Sequence, residues 1–226
     1  MERQALAAGA RLERRDGWNV AAAFDGDVVE RDRCRLAVGF ADRSHLTKIE
    51  VQAGAGPLAA IVAQVGGGER LELGRATRAG GAWWCPYTAG RALVVCEPAV
   101  AAGLRERIDQ AAAGQSAATS IVDVTCVYAA LAIVGPLARE LFARFSALDL
   151  RPHVTPVRGF RPGSVARTPG AVLCEAEQRY LMLFGAALGQ YMWTVVADAA
   201  ERLGGGPVGA DALGALDEAP VEAHRA

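Results

Sequence analysis

Lysine is nearly missing from this chain of 226 residues: Lys48 is the one lysine among 24 basic residues, and the rest are arginine. That bias reads as codon composition before chemistry. Against 25 acidic residues it leaves a formal charge of -1, which excludes a general electrostatic pull toward nucleic acid or an anionic membrane. Cysteine is present but unorganised. Cys34, Cys85, Cys96, Cys126 and Cys174 are odd in number, scattered, and form no C-x-x-C pair, so neither a disulfide framework nor a zinc site is expected. His153 and His224 have no metal partners at a useful spacing, and no metal is expected. No apolar run approaches the roughly 20 residues of a membrane helix. The start, "MERQALAAGARLERRDG", is charged throughout and lacks the apolar core of a signal peptide. Reduced thiols and a cytoplasmic location are the expectation.

What is present is core. Hydrophobic residues make up 52% against 22% charged, an ordinary globular balance. The chain also repeats itself. "ADRSHLTKIEVQAGAGPLAAIVAQV" (41–65) lies beside "VDVTCVYAALAIVGPLARELFARF" (122–145), each with an aspartate, an apolar run and then G-P-L-A opening a helical pattern. Downstream, "GRATRAGGAWWCPYTAGRALVVCEP" (74–98) matches "GSVARTPGAVLCEAEQRYLMLFGAA" (163–187). Helical stretches at 98–110 and 187–203 close the two halves. Each half reads as strand or strands, helix, strand, strand, helix, a unit whose sheet has one face for its two helices. The predicted organisation is an N-terminal extension (1–35), a first α+β half (36–110), a second (119–203) and a loosely ordered Gly/Ala-rich tail (204–226).

The joint at Gly135-Pro136 could cradle a phosphate at a helix N-terminus. It occurs twice in equivalent places, however, and neither G-x-x-x-x-G-K-[ST] nor a full G-x-G-x-x-G is present. It is read as a structural hinge, with a helix from about Pro136 carrying Leu137, Leu141, Phe142, Phe145 and Leu148 on one face.

These same segments resemble a known family. "GFADRSHLTKIEVQAG" (39–54) resembles the opening motif of the folate-dependent T-protein of the glycine cleavage system, and "PVGADAL" (207–213) its later P-V-G segment. "VDVT", "GPLARELF", "LDL", "PGSVART" and "RYLMLFGAALGQYMW", in that order, are similar to the small gamma subunit of heterotetrameric sarcosine oxidase. The resemblance spans about 36–213. It implies an α+β fold of two ferredoxin-like halves, and in catalytic members a central cavity for tetrahydrofolate with an acidic pair after a Gly-Gly turn.

Here the chain departs from the pattern. Gly80-Gly81 leads to Ala82, Trp83, Trp84 and Cys85, so Trp84 and Cys85 stand where the acids are expected, and neither supplies a carboxylate. Cys96 stands near an expected asparagine. Arg167-Thr168 begins a family segment whose glutamate is missing, the acidic and basic residues expected around Asp211 are absent, and the sequence ends at Ala226 without the C-terminal barrel domain. The K-G-C-[FY]-x-G-Q-E motif of the iron–sulfur-linked branch is absent as well.

The resemblance therefore implies a non-catalytic accessory subunit of a tetrahydrofolate-linked, sarcosine-oxidase-like demethylating complex. Flavin would reside only in larger partner subunits, with no nucleic acid, membrane or catalytic residue of its own. Alternatives are a stand-alone binder of folate or a similar flat heterocycle, stacked and paired by Trp83, Trp84, Tyr87 and Arg167, or a divergent aminomethyltransferase borrowing Asp42, Asp123 or a partner's carboxylate. His45 is a candidate pocket-lining residue or a structural histidine. Asp42 and Asp123 read more simply as turn residues, Cys85 as an inert thiol, and Arg158, Arg161 and Arg167 as solvated charge. Adjacent residues of a strand face opposite ways, so one of Trp83 and Trp84 is expected to face out. The sequence does not say which.

Overall fold

The computed structural model describes residues 1–115 and 118–218. Helix α1 (Glu2–Ala7), a hairpin of β1 (Arg11–Arg15) and β2 (Trp18–Ala23), and α2 (Asp27–Leu36) come first. The first repeat is β3 (Gly39–Asp42), β4 (Thr47–Gln52), α3 (Ala55–Gly66), β5 (Thr77–Ala79), β6 (Ala82–Thr88), β7 (Arg91–Cys96) and α4 (Pro98–Ala113). The second is β8 (Ser120–Asp123), β9 (Tyr128–Val134), α5 (Ala138–Ala143), β10 (Phe160–Val165), β11 (Thr168–Ala176), β12 (Arg179–Gly185) and α6 (Gly189–Glu201). Strand β13 (Gly206–Pro207) and α7 (Ala210–Glu218) follow.

Besides the two-stranded β1-β2 sheet, two larger sheets form, ordered β10-β11-β12-β9-β3-β13 and β5-β6-β7-β4-β8. Each follows the ferredoxin-like strand order, but its fourth place is taken by the other repeat. β8 pairs antiparallel with β4, and β3 pairs antiparallel with β9. Each repeat thus lends its first strand to its twin's sheet.

Strand periodicity explains the layers. Along β12, Tyr180, Met182 and Phe184 join the core under α5 and α6, while Leu181 and Leu183 face the other sheet. Along β7, Ala92, Val94 and Cys96 pack under α3 and α4, and Leu93 and Val95 meet Leu181 and Leu183 between the sheets. Both faces of the central strands are buried, which is why they read as unbroken apolar runs. Each large apolar side chain so buried contributes roughly 1.5–3 kcal/mol.

Three expectations change. The helix after Gly135 is short, beginning at Ala138 and ending at Ala143. Phe145 and Leu148 still pack on the core, but from the loop that follows. The N-terminal extension is a folded part of the molecule: Ala5 and Ala21 belong to the core of the β9–β12 sheet. The tail is ordered through α7, with Val208, Ala212 and Leu213 buried; its end, 219–226, including Glu222 and His224, lies outside the described residues.

One carboxylate ties the two ends together. Glu30 is wholly buried and accepts hydrogen bonds from the amides of Phe24, Asp25 and Gly26 at 2.7, 3.0 and 3.1 Å. Its second oxygen takes the Gly209 amide at 2.5 Å. A side chain on Gly209 would strike the Ala22 carbonyl at 1.9 Å, so glycine is required for this approach. The joint at Gly135 is a close-packed hinge: φ is 133°, and a Cβ there would lie 2.5 Å from the Ala37 oxygen. No ligand space opens at it.

Candidate functional site

Two cavities lie near the ends of the sheets. The larger, about 530 Å³, opens between them and draws on both repeats. Arg43 from the turn after β3, Arg78 and Trp83 from β5 and β6, and Cys96 and Glu97 from the end of β7 form one wall. Arg158, Glu175 and Arg179 face them, with Leu46, Val95 and Leu181 beneath.

Two of the four arginines pair with the two glutamates, which leaves the lining positive in sum. Arg43 forms an ion pair with Glu97, and the Arg179 Nε donates to Glu175 at 3.3 Å. The Arg43 Nε is buried without a hydrogen-bond partner, a cost that an incoming acceptor would remove. The Arg78 guanidinium stacks 4.7 Å from the centre of the Trp83 ring. Burial pushes the Cys96 thiol up to about 11, so it stays neutral near pH 7. The Cys85 thiol is wholly buried and pushed up by the same desolvation.

Of the five residues nominated from sequence, only Trp83 lines this cavity. Trp84, its neighbour, is completely buried on the helix side of the sheet, where its indole N–H donates to the Ala79 carbonyl at 3.2 Å. Tyr87 packs edge-on against Phe160, ring centres 5.3 Å apart, under the Arg91 guanidinium. Arg167 is exposed in the β10–β11 turn with φ 63°. The four do not converge on one stack in this chain. Arg161 is spent on structure, holding the Gly74 and Val154 carbonyls and the Thr155 hydroxyl.

His45 lines a separate cavity of about 280 Å³, with Trp18, Asp42, Ser44, Thr125 and Cys126 among its walls. Burial, then the charges of Arg43 and Lys48, push the imidazole down to about 4. It is therefore neutral at pH 7. Beneath it lies Lys48, wholly buried, its ammonium donating to the Ser44 carbonyl at 2.6 Å. Desolvation lowers the ammonium to about 8, against the raising pull of Asp42. Burial raises the Asp42 carboxyl in turn, partly offset by its hydrogen bonds from Ser44.

Sequence reasoning missed Arg43, Arg78, Glu97, Glu175 and Arg179, and read Arg158 as solvated. Each stands at the end of a strand or in a turn with no local motif. The one available signal was position: Arg43 follows the repeated aspartate, and Glu97 precedes the proline that opens α4. Among the described residues no cluster of His, Cys, Asp and Glu is arranged to hold a metal.

No family model matches the sequence, and no curated protein does either. Solved structures do. A chain of the heterotetrameric sarcosine oxidase from Corynebacterium sp. U-96, solved in complex with pyrrole 2-carboxylate, aligns with a TM-score of 0.64 at 20% identity. The alignment covers 78% of this chain and 92% of that one. The glycine cleavage system aminomethyltransferase T from Bartonella henselae aligns with a TM-score of 0.75 at 15% identity, over 93% of this chain and 58% of that one.

The chain has the T-protein fold. It spans a little over half of the aminomethyltransferase and nearly all of the sarcosine oxidase chain. At these identities the likeness establishes the fold. The duplicated, ferredoxin-like α+β architecture expected from the sequence is the one observed. Among the described residues, no helix is long and apolar enough to cross a membrane.

Proposed function

We propose that the chain is a non-catalytic accessory subunit of a hetero-oligomeric, sarcosine-oxidase-like complex that passes one-carbon units to tetrahydrofolate in the cytoplasm. Flavin, on this reading, belongs to larger partner subunits. The observation that carries it is the chemistry of β6. Where the resemblance expects acids, the strand offers Trp84 behind the sheet and Cys85 as a buried, neutral thiol. The two glutamates in the cavity are both engaged by arginine. A carboxylate poised to take a proton or to stabilise a cationic amine is what such a transfer needs, and this wall does not offer one. The near-full coverage of a heterotetramer's chain agrees with a subunit role.

The cavity still suits a flat anion. About 530 Å³ lies within the usual range of ligand sites. Trp83 provides an aromatic face, Arg43 and Arg158 provide charge for carboxylates, and Leu46 and Leu181 provide an apolar floor. These residues would hold tetrahydrofolate or a related heterocycle by stacking and ion pairing. When bound, the cofactor would accept the one-carbon unit; the contribution of this chain would be to bind and orient it.

The test is to purify the tagged chain from its native host, size the eluate and record its visible spectrum. A large complex with flavin absorbance is expected. A small, colourless species with no partners would overturn the subunit reading. Folate titration, followed by tryptophan quenching, then asks whether the cavity binds on its own.

A further inference from the structure

The two sheets correspond strand for strand except at one edge. β5 matches β10, β6 matches β11, β7 matches β12, β4 matches β9 and β8 matches β3, while β13 has no counterpart. β13 runs parallel to β3. The Gly206 amide donates to Val38 O at 3.1 Å and the Val208 amide to Phe40 O at 2.9 Å. One sheet edge is thereby closed by the chain's own C-terminal segment. Beyond β8, among the described residues, no strand lies on the equivalent edge.

The ladder shows what that edge presents. The Val124 amide donates to the Lys48 carbonyl at 2.9 Å. In an antiparallel pair the hydrogen-bonding groups alternate in direction along the strand. Val122 therefore turns its backbone toward β4, while Ile121 and Asp123 turn theirs outward. Ile121 occupies the place that Phe40 occupies in the other repeat. Its carbonyl is met by Arg105, whose Nη2 donates at 3.2 Å. A guanidinium from α4 thus stands where, on β3, the amide of Val208 stands. Arg105 also grips Asp109 through Nε at 3.0 and 2.9 Å, and its side chain is 38% exposed, so it can rotate away without opening the core. Charged side chains are a usual means of protecting a sheet edge from unwanted pairing. Beside the edge, Val122 is 50% exposed, and Val127, in the turn that follows, is 57% exposed.

We infer that β8 is a strand-addition edge that takes an extended segment of a partner polypeptide, running parallel to β8, in the place β13 takes on β3. The segment donates an amide to Ile121 O after Arg105 swings toward Asp109, and sets an apolar side chain over Val122. Main-chain pairing of this kind gives affinity, and the side-chain contacts give selectivity. The existence of a partner rests on the subunit reading above; which edge it uses does not.

The experiment compares hydrogen exchange of the full chain alone and in the complex purified from its host. The outward amides of Ile121 and Asp123 are expected to slow by about tenfold or more in the complex, while those of 39–42 stay protected in both. Arg105→Ala removes the competing donor and slows partner dissociation several-fold. Val122→Lys, on a surface position, speeds it several-fold with the chain still folded. A complex in which Ile121 and Asp123 exchange as fast as in the free chain overturns the inference and leaves the subunit reading intact. A homodimer protected at Ile121 and Asp123 makes the occupant a second copy and overturns the partner assignment. Recovery of the chain alone overturns both.

Discussion

Asp42 and Asp123 make the same turn twice: each accepts, through Oδ1, the amide two residues on, from Ser44 and from Thr125, at 2.8 Å in both cases. The turns then interlock across the repeats. Ser44 Oγ accepts the Ala130 amide at 3.1 Å, and Thr125 Oγ1 accepts the Lys48 amide at 3.0 Å. Both acids thus form the corners at which β3 and β8 cross into opposite sheets. Asparagine forms the same turn, so Asp42→Asn and Asp123→Asn should fold normally. Loss of folding in both variants, measured by circular dichroism, would show that the charge itself is required.

Lys48 should make the protein more stable as the pH rises through alkaline values. Its folded pKa of about 8 lies below its ordinary 10.5, so the unfolded chain binds more protons between those limits and stability increases with pH there. Below pH 8 the cost is present in full, on the order of 3 kcal/mol. Urea unfolding of wild type and Lys48→Met from pH 7 to 10.5 should show this rise in the difference between the two curves, since the buried thiols of Cys85 and Cys96, raised from 9.0 by burial, pull both curves down alike above about pH 9. A difference between the two curves that stays constant over that range would refute the assignment.

His45 predicts the opposite end of the range. Its pKa falls to about 4 from 6.5, so protons favour the unfolded chain and stability is lost as pH falls through that window. The ring is partly solvated, which limits the effect to roughly 1–2 kcal/mol. His45→Gln should unfold less readily than wild type between pH 6.5 and 4.5, relative to each protein at pH 7.5. An equal loss in both would place the acid sensitivity elsewhere.

The neighbouring tryptophans should separate cleanly. Trp84→Leu leaves a cavity under α3 and α4 and should cost about 2–4 kcal/mol. Trp83→Leu should cost under about 1 kcal/mol but abolish any fluorescence response to folate. If Trp84→Leu kept full stability and lost the response instead, the assignment of faces would be wrong.

Removing Glu30 should release both chain ends. Glu30→Ala strips the acceptor from four amides and should cost on the order of 3 kcal/mol, with faster exchange at 24–26 and 206–213. Exchange in β6 and β7 should change only as far as global stability does.

The repeated G-P-L-A joint offers a contrast of glycines. Gly135→Ala meets backbone oxygens of Ala37 and Cys34 at 2.5 and 2.8 Å and should destabilise strongly. Gly56→Ala, at the second position of α3, meets nothing beyond its chain neighbours, but Pro57 disfavours a helical residue with a Cβ before it, so it should cost only up to about 1 kcal/mol. Thermal unfolding of the two variants decides it.

The sequence by itself determined the duplication and the alternation of strands and helices. These are local matters of periodicity and turn chemistry, and residues such as Gly135 and Asp42 carry them within a few positions. It also determined that Trp83 and Trp84 face opposite ways, because that follows from one strand alone. Which of them meets the cavity was decided only by tertiary structure, since both faces of β6 are covered and the local pattern is apolar on each. The strand exchange was likewise invisible. Nothing within β3 or β8 distinguishes pairing in its own sheet from pairing in the other, and the choice depends on hydrogen bonds such as Ala130 to Ser44, which span 86 positions. The cavity charges come from distant stretches, Arg43, Glu97 and the hairpin that holds both Glu175 and Arg179. They meet because two sheets stack, and long-range packing of that kind has no signature in short sequence windows.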